Sequence, residues 1–255
     1  MAIMKNPLQF TGSLGHLSAY TIQGSDKVIL RTKGGASKKK IKTSPKFART
    51  RENNSEFGRC AKVASSIRAA IWPVKHMADY NFTPTLIALA KHVQGMDKKN
   101  ARGKREVPFS QHRYLLEGFN LNRQNPFDSV VRHPLSYSID KATAAIQLPH
   151  LVPGVNFRIP WQWPVFRFVA SLGIMNDHGR QGNMSTGYAV WMQTEWHPVL
   201  QPFPSQILEL EFSHAALLKS STLLLSIGIE TGMPMSSTMI NPAKYGGCAK
   251  ILAAG

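Results

Sequence analysis

The stretch Leu208-Glu209-Leu210-Glu211-Phe212 decides how the C-terminal half of the chain is read. Apolar and acidic side chains alternate strictly, the period of a strand with one face buried and the other in water. Working outward, the same period recurs in Leu135, Tyr137 and Ile139, in Ala144, Ile146 and Leu148, and in Phe166, Phe168, Ala170, Leu172 and Ile174. It returns in Tyr188, Val190, Met192 and Trp196, in Leu223, Leu225, Ile227 and Ile229, and in Ala249 and Ile251. Asp140-Lys141, four prolines between Pro149 and Pro164, and the polar loop Asn176 to Asn183 separate these runs. Turn-punctuated strands of this kind predict an antiparallel β-sandwich of seven to eight strands over 121–255.

Upstream, the period is helical. Asn53-Asn54-Ser55 supplies N-cap residues and Glu56 suits the positive end of a helix dipole. Phe57, Cys60, Ala61, Ala64, Ile67 and Ile71 then predict one amphipathic helix, ended or kinked at Trp72-Pro73. Thr83-Pro84 opens a second helix with the stripe Leu86, Leu89, Ala90 and Val93, and Gly95 is its expected stop. Ser110 to Glu117 predicts a short third helix. Before these comes a β-hairpin, Leu8 to Thr32, turning at Gly24-Ser25-Asp26. A lone hairpin is marginal in water, so it is expected to pack on this chain or on a neighbour. The fold class is therefore α+β: a β-hairpin and basic linker over 1–52, a helical segment with a second basic loop over 53–120, and the sandwich.

The chain has 255 residues, with 31 Lys+Arg against 14 Asp+Glu, a net charge of +17. At 43% hydrophobic it can bury a core, which excludes a wholly disordered chain. No apolar run reaches the roughly 18 residues of a membrane-spanning helix. Two cysteines do not make a disulfide scaffold. The charge is unevenly placed: residues 1–113 hold 22 basic and 6 acidic side chains, whereas 114–255 hold 9 and 8.

Lys27, Arg31, Lys33, Lys38, Lys39, Lys40, Lys42, Lys46, Arg49 and Arg51 fall in one acid-free stretch, and Lys98, Lys99, Arg102, Lys104 and Arg105 form a second cluster. Ten like charges within 25 residues repel one another, which weighs against a merely solvated loop. From Arg31 onward, these side chains are expected to contact a polyanion or a neighbouring subunit. Gly34-Gly35 ahead of the lysines lacks the spacing of a phosphate-binding loop. No RNA-recognition aromatics, zinc-finger spacing or helix-turn-helix accompany them, so any nucleic acid would be held through its phosphates.

Catalytic chemistry is sparse. Nine histidines are scattered without zincin spacing, so no metal or cofactor is expected. Asp177-His178 reads as a polar turn in preference to an acid–base pair, His214 as a loop residue, and Glu209 and Glu211 as the wet face of a strand. Cys60 and Cys248 read as small packing residues. Trp161-Gln162-Trp163, flanked by Pro160 and Pro164, reads either as a capped sandwich edge or as an exposed interface anchor; Tyr20 is a further interface aromatic.

Four segments carry a resemblance: Gly12-Ser-Leu-Gly15 with Tyr20 and Arg31-Thr-Lys-Gly-Gly35; Arg49-Thr-Arg-Glu-Asn-Asn-Ser-Glu-Phe-Gly58; Leu115-Leu-Glu-Gly-Phe119; and Leu225-Ser-Ile-Gly-Ile-Glu230. In patches over most of its length, the chain resembles a family of uncharacterised basic proteins of Bacteroidota that open with a Gly-rich hairpin. The resemblance implies the order hairpin, basic linker, helices and sandwich, and no catalytic residue. The Pro- and Trp-rich stretch 149–164 departs from it.

These observations point first to a non-enzymatic structural subunit of a filament, tube or phage-like particle, self-associating as a homo-oligomer or polymer. The alternative is a sequence-independent nucleic-acid binder using 27–51 and 98–105. A third reading is an enzyme whose site is assembled from residues distant in sequence. No secretory signal is read at the N-terminus, so the expected compartment is cytoplasmic, or extracellular by a route that needs no such signal.

Overall fold

The computed structural model describes residues 2–3, 10–22, 25, 27–140, 142–177, 189–212, 221–236 and 239–255. The expected turn residues Gly24, Asp26 and Lys141, strand residue Tyr188, His178 with the rest of its loop to Asn183, and His214 lie outside the described residues. The fold is α+β, and the chain divides into two compact units, Met1–Arg51 and Glu52–Gly255.

In the first unit the expected hairpin is part of a four-stranded antiparallel sheet. Its strands are β1 (Ala2–Ile3), β2 (Gly12–Leu14), β3 (Leu17–Thr21) and β4 (Val28–Thr32), in the order β1-β4-β3-β2. The extra turn is tight: Leu14 pairs with Leu17, and Gly15 between them has φ 55°, which a side chain would resist. The basic linker is also not extended. It forms helix α1 (Lys38–Thr43), a 3-10 turn (Pro45–Phe47) and the start of α2 (Ala48–Ala70). The Ser37 side chain accepts from the Lys40 amide and caps α1.

The second unit is layered. Helix α2 starts at Ala48, ahead of the expected caps at Asn53–Ser55, and ends before Trp72-Pro73 as expected. Its buried face is Glu56, Cys60, Val63, Ala64, Ser66, Ile67, Ala69 and Ala70, so Phe57 and Ala61 fall off the stripe read from the sequence. Helix α3 (Thr83–Met96) buries Leu86, Ala90, Val93 and Gln94, with Pro84 in its first turn. The expected third helix is instead two 3-10 turns, Phe109–Gln111 and Arg113–Leu116. A one-turn helix, α4 (Phe127–Val130), precedes the sandwich.

The strands that follow are β5 (Ser136–Asp140), β6 (Thr143–Leu148), β7 (Val165–Met175), β8 (Ala189–Gln193), β9 (His197–Pro198), β10 (Gln206–Glu211), β11 (Thr222–Pro234) and β12 (Ile240–Ala254). They make two antiparallel sheets, β10-β6-β5 and β12-β11-β7-β8, with β9 also on β7. Trp196 lies beyond the end of β8.

Between the sheets, Phe166, Phe168, Ala170, Leu172, Leu225, Ile227 and Ile229 meet Ala144, Ile146, Leu148, Leu208 and Leu210. The opposite face of the long sheet, through Val169, Leu224, Ala249 and Ile251, packs on Cys60, Val63, Ile67, Leu86 and Val93 of the helices. The segments 53–120 and 121–255 therefore share a core, and β11 is buried along most of its length on both faces. The approach of α2 requires Gly173, because a Cβ there would overlap the Ala70 carbonyl. The outer edge of β12 is covered where Gly118 N donates to Ile251 O and Leu121 N to Ala249 O, both at 2.9 Å. No described helix is long and apolar enough to cross a membrane.

Candidate functional site

The basic residues expected at a contact surface fall into both units. In the first, Lys38, Lys39, Lys40 and Lys42 lie on α1, which buries none of its residues, and Lys46 is exposed on the following 3-10 turn. Arg49 is exposed in the first turn of α2. Lys33 is exposed and its Nζ donates to the Gly15 carbonyl at 2.9 Å. The exposed Arg31 guanidinium lies over the Tyr20 ring at 5.3 Å, so Tyr20 is half-covered. Arg51 has an internal role: one guanidinium nitrogen donates to the carbonyls of Ile41 and Ser44, both at 2.8 Å. It caps the C-terminal end of α1 and holds the turn into α2.

The sheet of this unit shows few buried side chains among the described residues. Among its described hydrophobic side chains only Ala19 and Val28 are buried, while Leu14 is 65% and Ile22 53% exposed. Strand β2, at one end of the sheet, is exposed throughout. Two buried hydrophobic side chains among the described residues are few for a sheet of this size.

The second cluster is a loop, as expected, but two of its cations are engaged internally. Arg105 donates from Nε to Oε1 of Glu56 and from an amino nitrogen to Oε2, both at 2.7 Å. Lys91 Nζ donates to Oε2 of the same carboxylate at 2.9 Å, and the Gly103 amide to Oε1 at 2.8 Å. These bonds, led by Arg105, hold the Glu56 carboxyl well below the usual carboxylate range despite its burial. Arg102 donates to the Asn53 side chain at 3.0 Å and lies 4.0 Å from Glu52. Lys98, Lys99 and Lys104 are exposed on the loop. Arg105, read from the sequence as a contact residue, also neutralises a buried acid. Glu56 carried the signal, an acid spaced four residues from Cys60 on the apolar stripe.

The aromatic expectation is also redistributed. Trp161 and Trp163 are half-buried, and Trp161 packs against the core between the sheets, so this segment closes the sandwich edge. The exposed tryptophans are Trp72 and Trp191, 45% and 47% accessible, with ring centroids 4.8 Å apart and planes at 74°. They border a pocket of about 240 Å³ that also includes Pro73, His76, Arg167, Val169, Gln193 and Glu230.

This pocket lies on the helix-bearing face of the long sheet. Arg167 on β7 and Glu230 on β11 are cross-strand partners, and Val169 pairs with Gln193 of β8. Glu230 is 5% exposed. Its Oε1 lies 2.8 Å from His76 Nε2, and its Oε2 accepts from Arg167 Nε at 2.8 Å. Burial pushes this carboxyl up, but His76 and Arg167 outweigh it and the net shift is downward. The Arg167 guanidinium also lies 4.3 Å over the Trp196 ring. Trp196 in turn packs on Gly232, where a Cβ would sit 2.9 Å from the indole. The available signal was a charge inside each of two buried strands, Arg167 among Phe and Val, and Glu230 after Ile229.

Elsewhere the expected chemistry takes structural form. Asp177 accepts from the Ser110 amide at 2.9 Å and from its hydroxyl at 2.6 Å. Cys60 and Cys248 are free and buried in opposite cores, and burial pushes both thiols up. Glu209 and Glu211 face solvent from β10. Among the described residues no group of three or more His, Cys, Asp or Glu side chains is placed to hold one metal ion. No protein-family model matches the sequence, and no curated protein matches it significantly.

Proposed function

We propose that this chain is a non-enzymatic assembly subunit whose N-terminal unit docks on a neighbouring copy. The carrying observation is the thin sheet of that unit: two buried hydrophobic side chains among those described, an exposed β2 edge, and exposed Leu14 and Ile22. A second copy can supply the missing apolar cover, and an open edge can take a neighbour's strand by main-chain pairing. The acid-free lysines of α1 then meet acidic side chains of that neighbour, with head-to-tail repetition giving a filament or tube. The resemblance to basic Bacteroidota proteins fits this element order and contributes no activity.

Electron microscopy of the purified, nuclease-treated protein tests the proposal. Particles or filaments larger than a monomer support it. A featureless field with a monomeric sizing profile at high concentration overturns it.

One observation favours a second reading, nucleic-acid binding without sequence preference: Lys38, Lys39, Lys40, Lys42 and Lys46 are all exposed within one short helical stretch. Binding of this kind falls with salt at a log–log slope of about −0.9 per phosphate neutralised on duplex DNA. Co-purifying nucleic acid removed by nuclease, with loss of all particles, would favour it over subunit docking.

A further inference from the structure

From the pocket bordered by Trp72 and Trp191 we infer a binding site for a neutral pyranose unit of a glycan. The inference goes beyond the assembly reading and stands independently of it, since every residue involved lies in the second unit.

The charge balance of the site selects against ions. Glu230 is already bonded to Arg167 and His76, so an anionic ligand would compete with a buried carboxylate for the same cation. A cationic ligand attracted by the indoles would approach Arg167 and His76 directly. A wholly apolar ligand would leave the remaining N–H groups of Arg167 and the Gln193 amide without partners. What fits is an uncharged molecule with an apolar face and several hydroxyls.

The two kinds of surface needed are both present. Trp72 and Trp191 expose apolar ring area in planes inclined at 74°, suited to the C–H face of a sugar ring. Arg167 commits Nε and one amino nitrogen to Glu230, leaving further N–H groups in its five-donor fork. The exposed Gln193 amide adds a donor and an acceptor, and His76 adds its second ring nitrogen. The polar floor is fixed before a ligand arrives: Glu230 clamps Arg167 from one side and Trp196 covers the guanidinium. Such fixed donors reduce the ordering cost of binding.

Intrinsic tryptophan fluorescence of the full chain, titrated with neutral gluco-, xylo-, manno- and chito-oligosaccharides and their monosaccharides, tests the site. A saturable change with at least one sugar, unchanged between low and moderate salt, is expected. Binding by an oligosaccharide alone identifies a glycan chain as the ligand; equal binding by the monosaccharide identifies the free sugar. Trp191→Ala should weaken binding by about tenfold or more. Gln193→Ala, an exposed position that leaves folding intact, should weaken it severalfold. No response to any sugar in the panel overturns the inference. So does binding unaffected by both substitutions.

Discussion

The two units of this protein handle charge and core in opposite ways. In Met1–Arg51 the stretch 27–51 holds ten basic residues and no acidic one, and the sheet buries two of its described hydrophobic side chains. In Glu52–Gly255 one sheet is covered on both faces, and the buried acids Glu56 and Glu230 each meet an arginine. The second unit has the burial of a self-sufficient domain, whereas the first is the unit we propose is completed by another molecule. Net charge alone does not distinguish these cases, because Arg105 and Lys38 count equally in it.

The contrast is broken most severely by substitution in the second unit's cores. Phe168, fully buried among Phe157, Phe166 and Phe203, should cost about 3–5 kcal/mol when changed to alanine, read by denaturant unfolding. An effect below about 1 kcal/mol would show that the sandwich core is not continuous.

Glu56 comes next. Replacing it with glutamine leaves Arg105 and Lys91 without their carboxylate, and because both cations keep access to water this should cost about 1–3 kcal/mol at neutral pH. Its folded pKa lies below the ordinary value of 4.5, so the stabilisation is present above about pH 4.5 and is lost as pH falls below it. Wild type and Glu56→Gln should therefore converge in acid. A gap that stays constant from pH 7 down to pH 3 would assign the effect to packing.

The smallest stability effects belong to the first unit. Leu14→Ser, and joint Lys38→Glu, Lys39→Glu and Lys40→Glu, should each change unfolding of the monomer by no more than about 0.5 kcal/mol. Both should nonetheless reduce self-association, read by light scattering. A large loss of monomer stability would mean that these residues serve the chain's own core.

Much of the fold was legible because strand period and helix stripe are local signals. Leu208 to Phe212 and Thr83-Pro84 fell where expected. The upstream extent of α2 was hidden because Asn53, Asn54 and Ser55 are good caps as well as tolerable helix residues. The β2–β3 turn was hidden because Gly15-His16 is short and flanked by few alternating residues. Sites were harder still. Glu56 meets Arg105, and Arg167 meets Glu230, across separations that only the assembled sheets and helices bring to bonding distance. The tryptophans that neighbour in sequence, Trp161 and Trp163, help close the sandwich, while Trp72 and Trp191 meet from different elements.

Completion of the first unit by another copy requires that association depend on its lysines. Sedimentation velocity of the nuclease-treated full chain over a concentration series, beside the Lys38→Glu/Lys39→Glu/Lys40→Glu variant, tests it most directly. Species larger than the 28.3 kDa monomer are expected for wild type and a monomer for the variant. A wild-type monomer across the whole series, or identical sedimentation of the two proteins, would contradict it.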